Sequence, residues 1–241
     1  MNFFNPYGPF VEYGTKLFNV LFCNIVVAFV IFIAINALDL SASLSSLPFL
    51  VFSFFITLLI LGISLVGIFK AAFGGIAPHY GFGPAYFIRP FKQLKTRWRL
   101  LIIGSFLNVF LIATSLYAVI LILTGTLDLP FIMTPVYVLL FLESLIVSFY
   151  SFPLMAHTEM SFMDTFKYAF GFAHRHFLVT LASVAITAAA IYMVIYYWML
   201  IFIVPSLAIA SISYLVLTFV FPKYELEKFG LDLESYVVKK S

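Results

Sequence analysis

The chain has 241 residues, of which 64% are apolar and 20% aromatic, whereas only 10% are charged. Soluble domains carry about 25% charged residues because their surface meets water, so this composition excludes a soluble globular domain, a disordered chain and a nucleic-acid-binding protein. The formal net charge of +3 is small, and the positions of the basic residues are therefore more informative than their sum. We expect most of the protein surface to contact lipid.

The beginning of the chain predicts no cleaved signal peptide, because no Lys or Arg lies within residues 1–10 and a signal peptide opens with basic residues. Cys23 is the only cysteine and lies in an apolar run, which excludes an intramolecular disulfide. We therefore expect the first hydrophobic segment to stay in the mature protein.

Hydrophobic segments predict an all-α polytopic membrane protein. A lipid core about 30 Å thick needs about 20 helical residues, because a helix pairs its own backbone polar groups. We predict one transmembrane domain over 1–221 and a short charged cytoplasmic tail over 222–241. Six stretches have the required length: 19–38, 48–69, 100–123, 131–152, 178–196 and 199–221.

The fifth and sixth segments are separated only by a short join near Tyr196 and Trp198. If they form one bent helix, the protein has five spans and the C-terminus changes sides. The fifth segment also carries a face of small residues that includes Thr180, Ser183 and Thr187. Small side chains let helix backbones approach closely, so we expect this span to be central in the bundle.

The basic residues predict the orientation, because Lys and Arg are retained on the cytoplasmic side. With six spans, the opposite side holds Asp39 and Asp128, and both termini are cytoplasmic. All basic residues then fall on one side: Lys16, Lys70, Arg89, Lys92, Lys95, Arg97, Arg99, Lys167, Arg175, Lys223, Lys228, Lys239 and Lys240.

Two segments predict basic amphipathic helices at the cytoplasmic interface. Before the third span, one face carries Phe87, Phe91, Leu94 and Trp98, and the opposite face carries Arg89, Lys92, Lys95 and Arg99. Such a helix sinks its apolar face into the headgroup boundary while its basic face meets anionic lipid phosphates. The alternative is that the basic residues dock a partner protein.

The second amphipathic segment precedes the fifth span. Ser161 and Asp164 predict a capping box that begins the helix, and Lys167, His174 and Arg175 are expected to face away from its apolar stripe. Lys167 and Arg175 therefore join the predicted lipid-phosphate or partner-docking residues. The predicted stripe is Met163, Phe166, Phe170, Ala173 and Phe177.

Glu143 lies near the middle of the fourth span, where an ionised carboxylate is expensive. It predicts an intramembrane proton or cation site with Asn108 of the third span, or alternatively a hydrogen-bonded packing contact. The spacing of His157, Glu159, His174 and His176 is poor for a helical metal site. We therefore expect no metal, no cofactor and no catalytic residues.

Several short motifs occur together along the chain: Phe4-Asn5-Pro6, Phe91-Lys92-Gln93, Phe152-Pro153-Leu154, and Phe221 with Lys223-Tyr224-Glu225. With these motifs the chain resembles the YesL family of bacterial integral membrane proteins, although the proline and Thr-x-Gly-Ala turn expected after the first span is absent. The resemblance implies a bacterial plasma membrane protein of unestablished activity with an accessory role in carbohydrate uptake.

These observations favour a non-enzymatic accessory protein whose partners are a bilayer with anionic headgroups and a component of a carbohydrate importer. The alternative is a small-solute carrier or channel that uses Glu143 within the membrane. The two hypotheses differ in where the functional residues lie, because the first uses the basic helices and the second uses the fourth span.

Overall fold

The computed structural model describes residues 18, 19, 21–26, 28, 29, 32, 36, 47–73, 87, 88, 91–125, 133–224 and 226. In this part of the chain the regular structure is helical and no strand occurs. We label its helices α1 (Leu47–Phe73), α2 (Leu94–Leu123), α3 (Met133–His157), α4 (Phe162–Arg175), α5 (Phe177–Tyr196) and α6 (Val204–Lys223).

Five of the described helices, all except α4, are long and apolar enough to cross a membrane. They coincide with the second to sixth predicted spans, so the prediction of a polytopic α-helical membrane protein is confirmed. The first predicted span, 19–38, is described only in part. Those of its residues that the structure describes are helical.

The fifth and sixth segments form two separate helices, and the alternative of one bent helix is therefore wrong. Tyr197 ends α5 with φ −130° and ψ 71°, and a 3₁₀ turn over Trp198–Phe202 precedes α6. Pro205 lies in the first turn of α6, where a missing N–H costs nothing because the first N–H groups have no intrahelical partner.

The second half of α3 is the centre of the bundle. Every residue from Ser148 to His157 is buried, and Phe152 stacks on Phe69 of α1 with ring centroids 5.5 Å apart. The expectation that the fifth span is central is wrong, because only Thr180 and Ser183 of α5 are buried. Small residues permit close helix packing, but they do not require it where lipid can cover the same face.

Helices α1 and α2 pack closely at Gly62. A Cβ atom built on this residue would lie 2.8 Å from the backbone carbonyl carbon of Ser105, a distance that real Cβ atoms do not reach. Glycine is therefore required at position 62 for α1 and the entry of α2 to pack backbone to backbone.

The chain remains attached to the bundle beyond the last span. Helix α6 ends in a π-helical turn over Val216–Val220 and a 3₁₀ turn over Phe221–Lys223. Beyond it, Tyr224 packs on Phe172 of α4 with ring centroids 4.5 Å apart, and Leu226 is fully buried. The beginning of the predicted 222–241 tail thus contributes to the core.

Candidate functional site

The predicted docking residues lie on exposed surface. Lys92, which precedes α2, and Lys95 and Arg99 at the start of α2 are exposed, as are Lys167 and Arg175 of α4. None of the five forms an ion pair with a carboxylate in the described part of the chain. Arg89 lies outside the described residues. These cations are therefore available to a ligand or partner.

The first amphipathic segment continues into the third span instead of forming a separate helix. Phe87 and Phe91 contact each other with ring centroids 5.4 Å apart, and Leu94 packs against the core. Trp98 does not share this apolar face, since it is 48% exposed. The reason is that the helix is interrupted at Arg97, which has φ −124° and ψ 28°. The interruption turns the side chains that follow, including Trp98, away from the face that carries Leu94.

A π-helical turn over Arg99–Gly104 follows that break. The residues before it form a local turn, in which the Arg97 N–H donates to the carbonyl of Gln93 at 2.9 Å. π-Helical turns inside α-helices are rare and occur frequently at functional sites. The sequence pattern gave no sign of this turn, because every residue in it except Arg99 and Gly104 is an apolar helix former.

A groove of about 760 Å³ opens between this irregular start of α2 and the turn that joins α3 to α4. We call it the basic groove. One wall is formed by residues of α2 and the other by the joining turn and the start of α4. Its lining residues are Thr96, Arg97, Trp98, Arg99, Leu100, Ile103, Glu159, Met160, Ser161, Phe162 and Met163.

Arg97 is the charged residue at the centre of the basic groove. The sequence predicts for it only a cytoplasmic position, as one of the basic residues that orient the spans. Its Nη1 lies 3.4 Å from Oε1 of Gln93, whereas its Nη2 is enclosed and has no hydrogen-bond partner among the described residues. The carboxylate of Glu159 attracts the guanidinium across the groove. Next to it, the Arg99 guanidinium lies 5.5 Å from the centre of the Trp98 ring, a cation–π distance.

The predicted cap of α4 is confirmed. The Asp164 N–H donates to the Ser161 hydroxyl at 3.2 Å, and that hydroxyl donates to the Asp164 carboxylate at 2.7 Å. This cap satisfies one of the N–H groups that a helix start leaves unpaired. It also fixes the direction in which α4 leaves the basic groove.

The predicted apolar stripe of α4 is partly wrong. Met163, Phe170 and Phe177 are 74%, 55% and 67% exposed. The helix packs along α3 through a face about one residue further round. Thr165 is buried on this face, and its hydroxyl is satisfied by donating to the Ser161 carbonyl at 2.9 Å. The buried residues are Thr165, Ala169, Phe172 and Ala173.

Glu143 and Asn108 are not brought together by any described contact. Asn108 is buried and donates to the carbonyl of Gly104 on its own helix at 3.2 Å. Glu143 instead faces α4, where its Oε1 lies 3.5 Å from Nε2 of His174. The predicted pair is therefore replaced by a pair between α3 and α4, which the sequence could not show because it depends on how α4 packs.

Two further titratable groups, Lys70 and His157, lie where the end of α1 meets the end of α3. Lys70 lies in the last turn of α1 and donates to the carbonyl of Ala156 at 2.6 Å, where the C-terminus of α3 favours a cation. His157 is buried beside it and bonds to the backbone of Phe69. In the described residues, no three His, Cys, Asp or Glu side chains lie together as metal ligands would.

His176 lies at the joint between α4 and α5. Its Nε2 is 2.9 Å from the hydroxyl of Tyr224, which links the joint to the segment after α6. Burial lowers the pKa of His176 below its ordinary value, and the positive charges of Lys223 and Arg175 lower this pKa further. The neutral form of this histidine is therefore the one that fits the folded protein.

A second cavity, of about 440 Å³, lies among α1, α2, α3, α5 and α6 and is lined almost entirely by apolar side chains. The two hydroxyl groups in its lining donate hydrogen bonds to carbonyls of their own helices. Ser148 donates to the Leu145 carbonyl at 2.6 Å and Thr187 to the Ser183 carbonyl at 2.9 Å. This cavity is suited to hydrocarbon and has little with which to orient a polar solute.

Comparisons with protein-family models, with curated proteins and with solved structures give no match. The fold and the apolar helices define the class as a polytopic α-helical integral membrane protein. The resemblance to the YesL family therefore remains a prediction that depends on the short motifs.

Proposed function

We propose that the protein is a non-enzymatic accessory component of the bacterial plasma membrane that docks an acidic segment of a partner protein in the basic groove. The observation that carries this proposal is the pair of guanidinium groups, those of Arg97 and Arg99, in the lining of one groove. A guanidinium presents its N–H donors in a fork that matches a carboxylate. An acidic side chain brought by a partner would therefore be a matching ligand, above all for the exposed Arg99.

The composition of the groove supports a protein partner. Trp98, Ile103 and Met163 are exposed large apolar residues on its lining, and they lie beside Arg97 and Arg99. Protein interfaces are enriched in aromatic residues, Met and Arg. A partner segment that pairs acidic side chains with apolar ones would match both parts of this lining.

The link to carbohydrate uptake comes from the resemblance to the YesL family. On this basis the partner is a component of a carbohydrate importer that presents an acidic segment on the cytoplasmic side. Lys92 and Lys95, which lie outside the groove lining, would then contact anionic lipid headgroups, at about 1 kcal/mol for each charge near the surface.

Copurification from mildly solubilised membranes tests the proposal, with bound proteins identified and quantified by mass spectrometry. We expect the native protein to recover an importer component. An Arg97→Gln, Arg99→Gln double variant should recover at least tenfold less of it, a loss of about 1.4 kcal/mol in binding. Lys223→Gln is the matched control, because Lys223 is exposed and lies outside the groove, and it should retain the partner.

Repeated recovery of the protein alone would count against the proposal. Equal recovery of the importer component by the native protein and the double variant would show that docking occurs elsewhere. In either case the membrane fold would stand, because it depends on the helices and not on the groove.

The alternative function, a small-solute carrier or channel that uses Glu143, is favoured by one observation: Glu143 has an ionisable partner in His174. Against it, Glu143 lines neither the basic groove nor the apolar cavity. Solute flux in proteoliposomes, compared between the native protein and Glu143→Gln, separates the hypotheses. Flux that depends on Glu143 would favour the carrier, and its absence for every solute tested would remove that support.

A further inference from the structure

Helix α5 is held against α3 near its start and less closely towards its end. The hydroxyl groups of Tyr150 on α3 and Thr180 on α5 form a buried hydrogen bond of 2.7 Å. The buried residues of α5 are Thr180 and Ser183, and none of the residues from Val184 to Tyr196 is buried. The apolar cavity lies along this later part of α5, between it, α3 and α6.

The chemistry of the cavity lining suits hydrocarbon. Ser148 and Thr187 donate their hydroxyl protons to carbonyls of their own helices. Among the residues that the structure describes, no charged side chain lines the cavity. Apolar cavities stay dry and bind apolar molecules. The volume of about 440 Å³ lies within the range of about 300 to 1,000 Å³ that is typical of ligand sites.

The cavity is elongated along the helices. On α5 its lining extends from Thr187 to Ile195, a rise of about 12 Å at about 1.5 Å per residue. A volume of about 440 Å³ over that length gives a mean width of about 6 Å, so the cavity is about twice as long as it is wide. One leaflet contributes about 15 Å to a hydrocarbon core about 30 Å thick. The length of the cavity is therefore close to the depth of one leaflet.

The cavity is continuous with the lipid-facing surface of α5. Ile191 and Ile195 line it and are 55% and 71% exposed. At the same end of α5, the side chains of Tyr192, Tyr196 and Tyr197 are also exposed. Tyrosine is enriched at the level of the lipid headgroups. The opening therefore lies just inside one membrane interface, where a lipid tail begins.

The first hydrophobic segment packs on a different face of α6. Asn24 accepts a hydrogen bond from the Ser206 N–H at 3.0 Å, and Cys23 belongs to one apolar cluster with Ala210. Ala208, which lines the cavity, lies two residues from each of them and so points about 200° away round the helix. The described residues of the first segment do not line the cavity, and this favours a lipid over that segment as the occupant.

We infer that the apolar cavity binds one acyl chain of a phospholipid from the leaflet that contains the turn between α5 and α6. The headgroup stays at the level of Tyr196 and Tyr197, and the acyl chain enters beside Ile195. Inside the cavity the chain contacts several helices at once, whereas a lipid on the outer surface contacts one side only, so the additional dispersion contacts retain it. The site is independent of the basic groove, which lies at the opposite ends of the helices.

Photo-crosslinking of the full-length protein in lipid bilayers tests the inference. The vesicles contain phosphatidylethanolamine and phosphatidylglycerol, and the probe is phosphatidylethanolamine with a diazirine near the middle of one acyl chain. Mass spectrometry locates the adducts. We expect adducts on α3 at Leu145 and Phe149, which line the cavity. Phe149 is only 4% exposed, so a lipid that stays on the outer surface does not account for its labelling.

Two neighbouring alanines of α5 provide matched variants. Ala190 lines the cavity, whereas Ala189 is exposed and lies outside it. Ala190→Trp should reduce the α3 adducts by roughly tenfold, because the indole fills the volume that the chain needs. Ala189→Trp should leave them unchanged. Adducts at the exposed Tyr192 should be the same in all three proteins. If Ala190→Trp does not fold, Ala190→Leu fills less of the cavity and should reduce the α3 adducts by a smaller factor.

Three results would overturn the inference. Adducts confined to exposed residues would place every lipid outside the cavity. Self-crosslinking from a p-benzoylphenylalanine at position 190 to another part of this chain, without lipid adducts on α3, would show that the protein itself fills the cavity. Equal α3 adducts in Ala190→Trp and Ala189→Trp would show that the lipid reaches α3 by another route.

Discussion

The carboxamide of Asn24 holds the beginning of α6 through Ser206. Its Oδ1 accepts a hydrogen bond from the Ser206 N–H at 3.0 Å, and its Nδ2 donates to the Ile203 carbonyl at 3.1 Å. The first N–H groups of a helix have no partner within the helix. Asn24 supplies one from the first hydrophobic segment, and both Asn24 and Ser206 are fully buried.

Removal of this carboxamide should destabilise the bundle. We expect Asn24→Ala to lower the free energy of unfolding by about 1 to 2 kcal/mol, because the buried Ser206 N–H loses its acceptor. Asn36→Ala is the matched control, since Asn36 is exposed and donates to the Phe32 carbonyl one turn earlier. Reversible unfolding in mixed micelles measures both variants, and equal destabilisation would contradict the interhelical role of Asn24.

The orientation of the spans predicts which side of the membrane each loop faces. In a Cys23→Ala background, Thr124→Cys and Lys95→Cys place single thiols at exposed positions near opposite ends of α2. A membrane-impermeant maleimide added to intact cells should label position 124 and not position 95. Both positions should react after permeabilisation, and the reverse pattern in intact cells would invert the topology.

The joint between α4 and α5 should respond to acid. The folded state lowers the pKa of His176 below its ordinary value, so the unfolded chain binds more protons as the pH falls. The contribution of the neutral ring to stability is therefore complete above the ordinary histidine pKa of about 6.5 and is lost as the pH falls through the lowered value.

Thermal unfolding between neutral and mildly acidic pH measures this effect. We expect the native protein to lose stability on acidification and His176→Gln to lose less. Tyr224→Phe removes the hydrogen bond but keeps the burial and the two cations that lower the pKa, so it should retain most of the pH dependence. If His176→Gln has the same pH dependence as the native protein, another group is responsible.

The spans could be predicted because length and hydropathy decide them locally. The predicted 178–196 segment is observed as Phe177–Tyr196, and the predicted 48–69 segment as Leu47–Phe73. The sequence does not predict the last turn of α1, residues 70–73, because this turn contains Lys70 and a hydropathy argument assigns a lysine to a loop. Its ammonium is tolerated there by the carbonyl of Ala156, a contact between two distant parts of the chain.

The site residues were harder to predict, because their roles depend on packing. His174 was expected to face away from the bundle, and its approach to Glu143 follows from how far α4 runs along α3. Arg97 differs from the neighbouring cations only through the helix break at its own backbone. Both features arise between elements or from irregular backbone, which residue periodicity does not encode.

Photo-crosslinking from the basic groove shows whether an acidic partner segment docks there. A p-benzoylphenylalanine at Met163, a groove residue that is 74% exposed, is compared with one at Tyr117 of α2, which is 63% exposed and lies outside the groove. We predict a protein adduct at position 163 that Arg97→Gln with Arg99→Gln abolishes, and no such adduct at position 117. An adduct at position 163 that survives the double substitution, or lipid adducts alone at both positions, would contradict the claim.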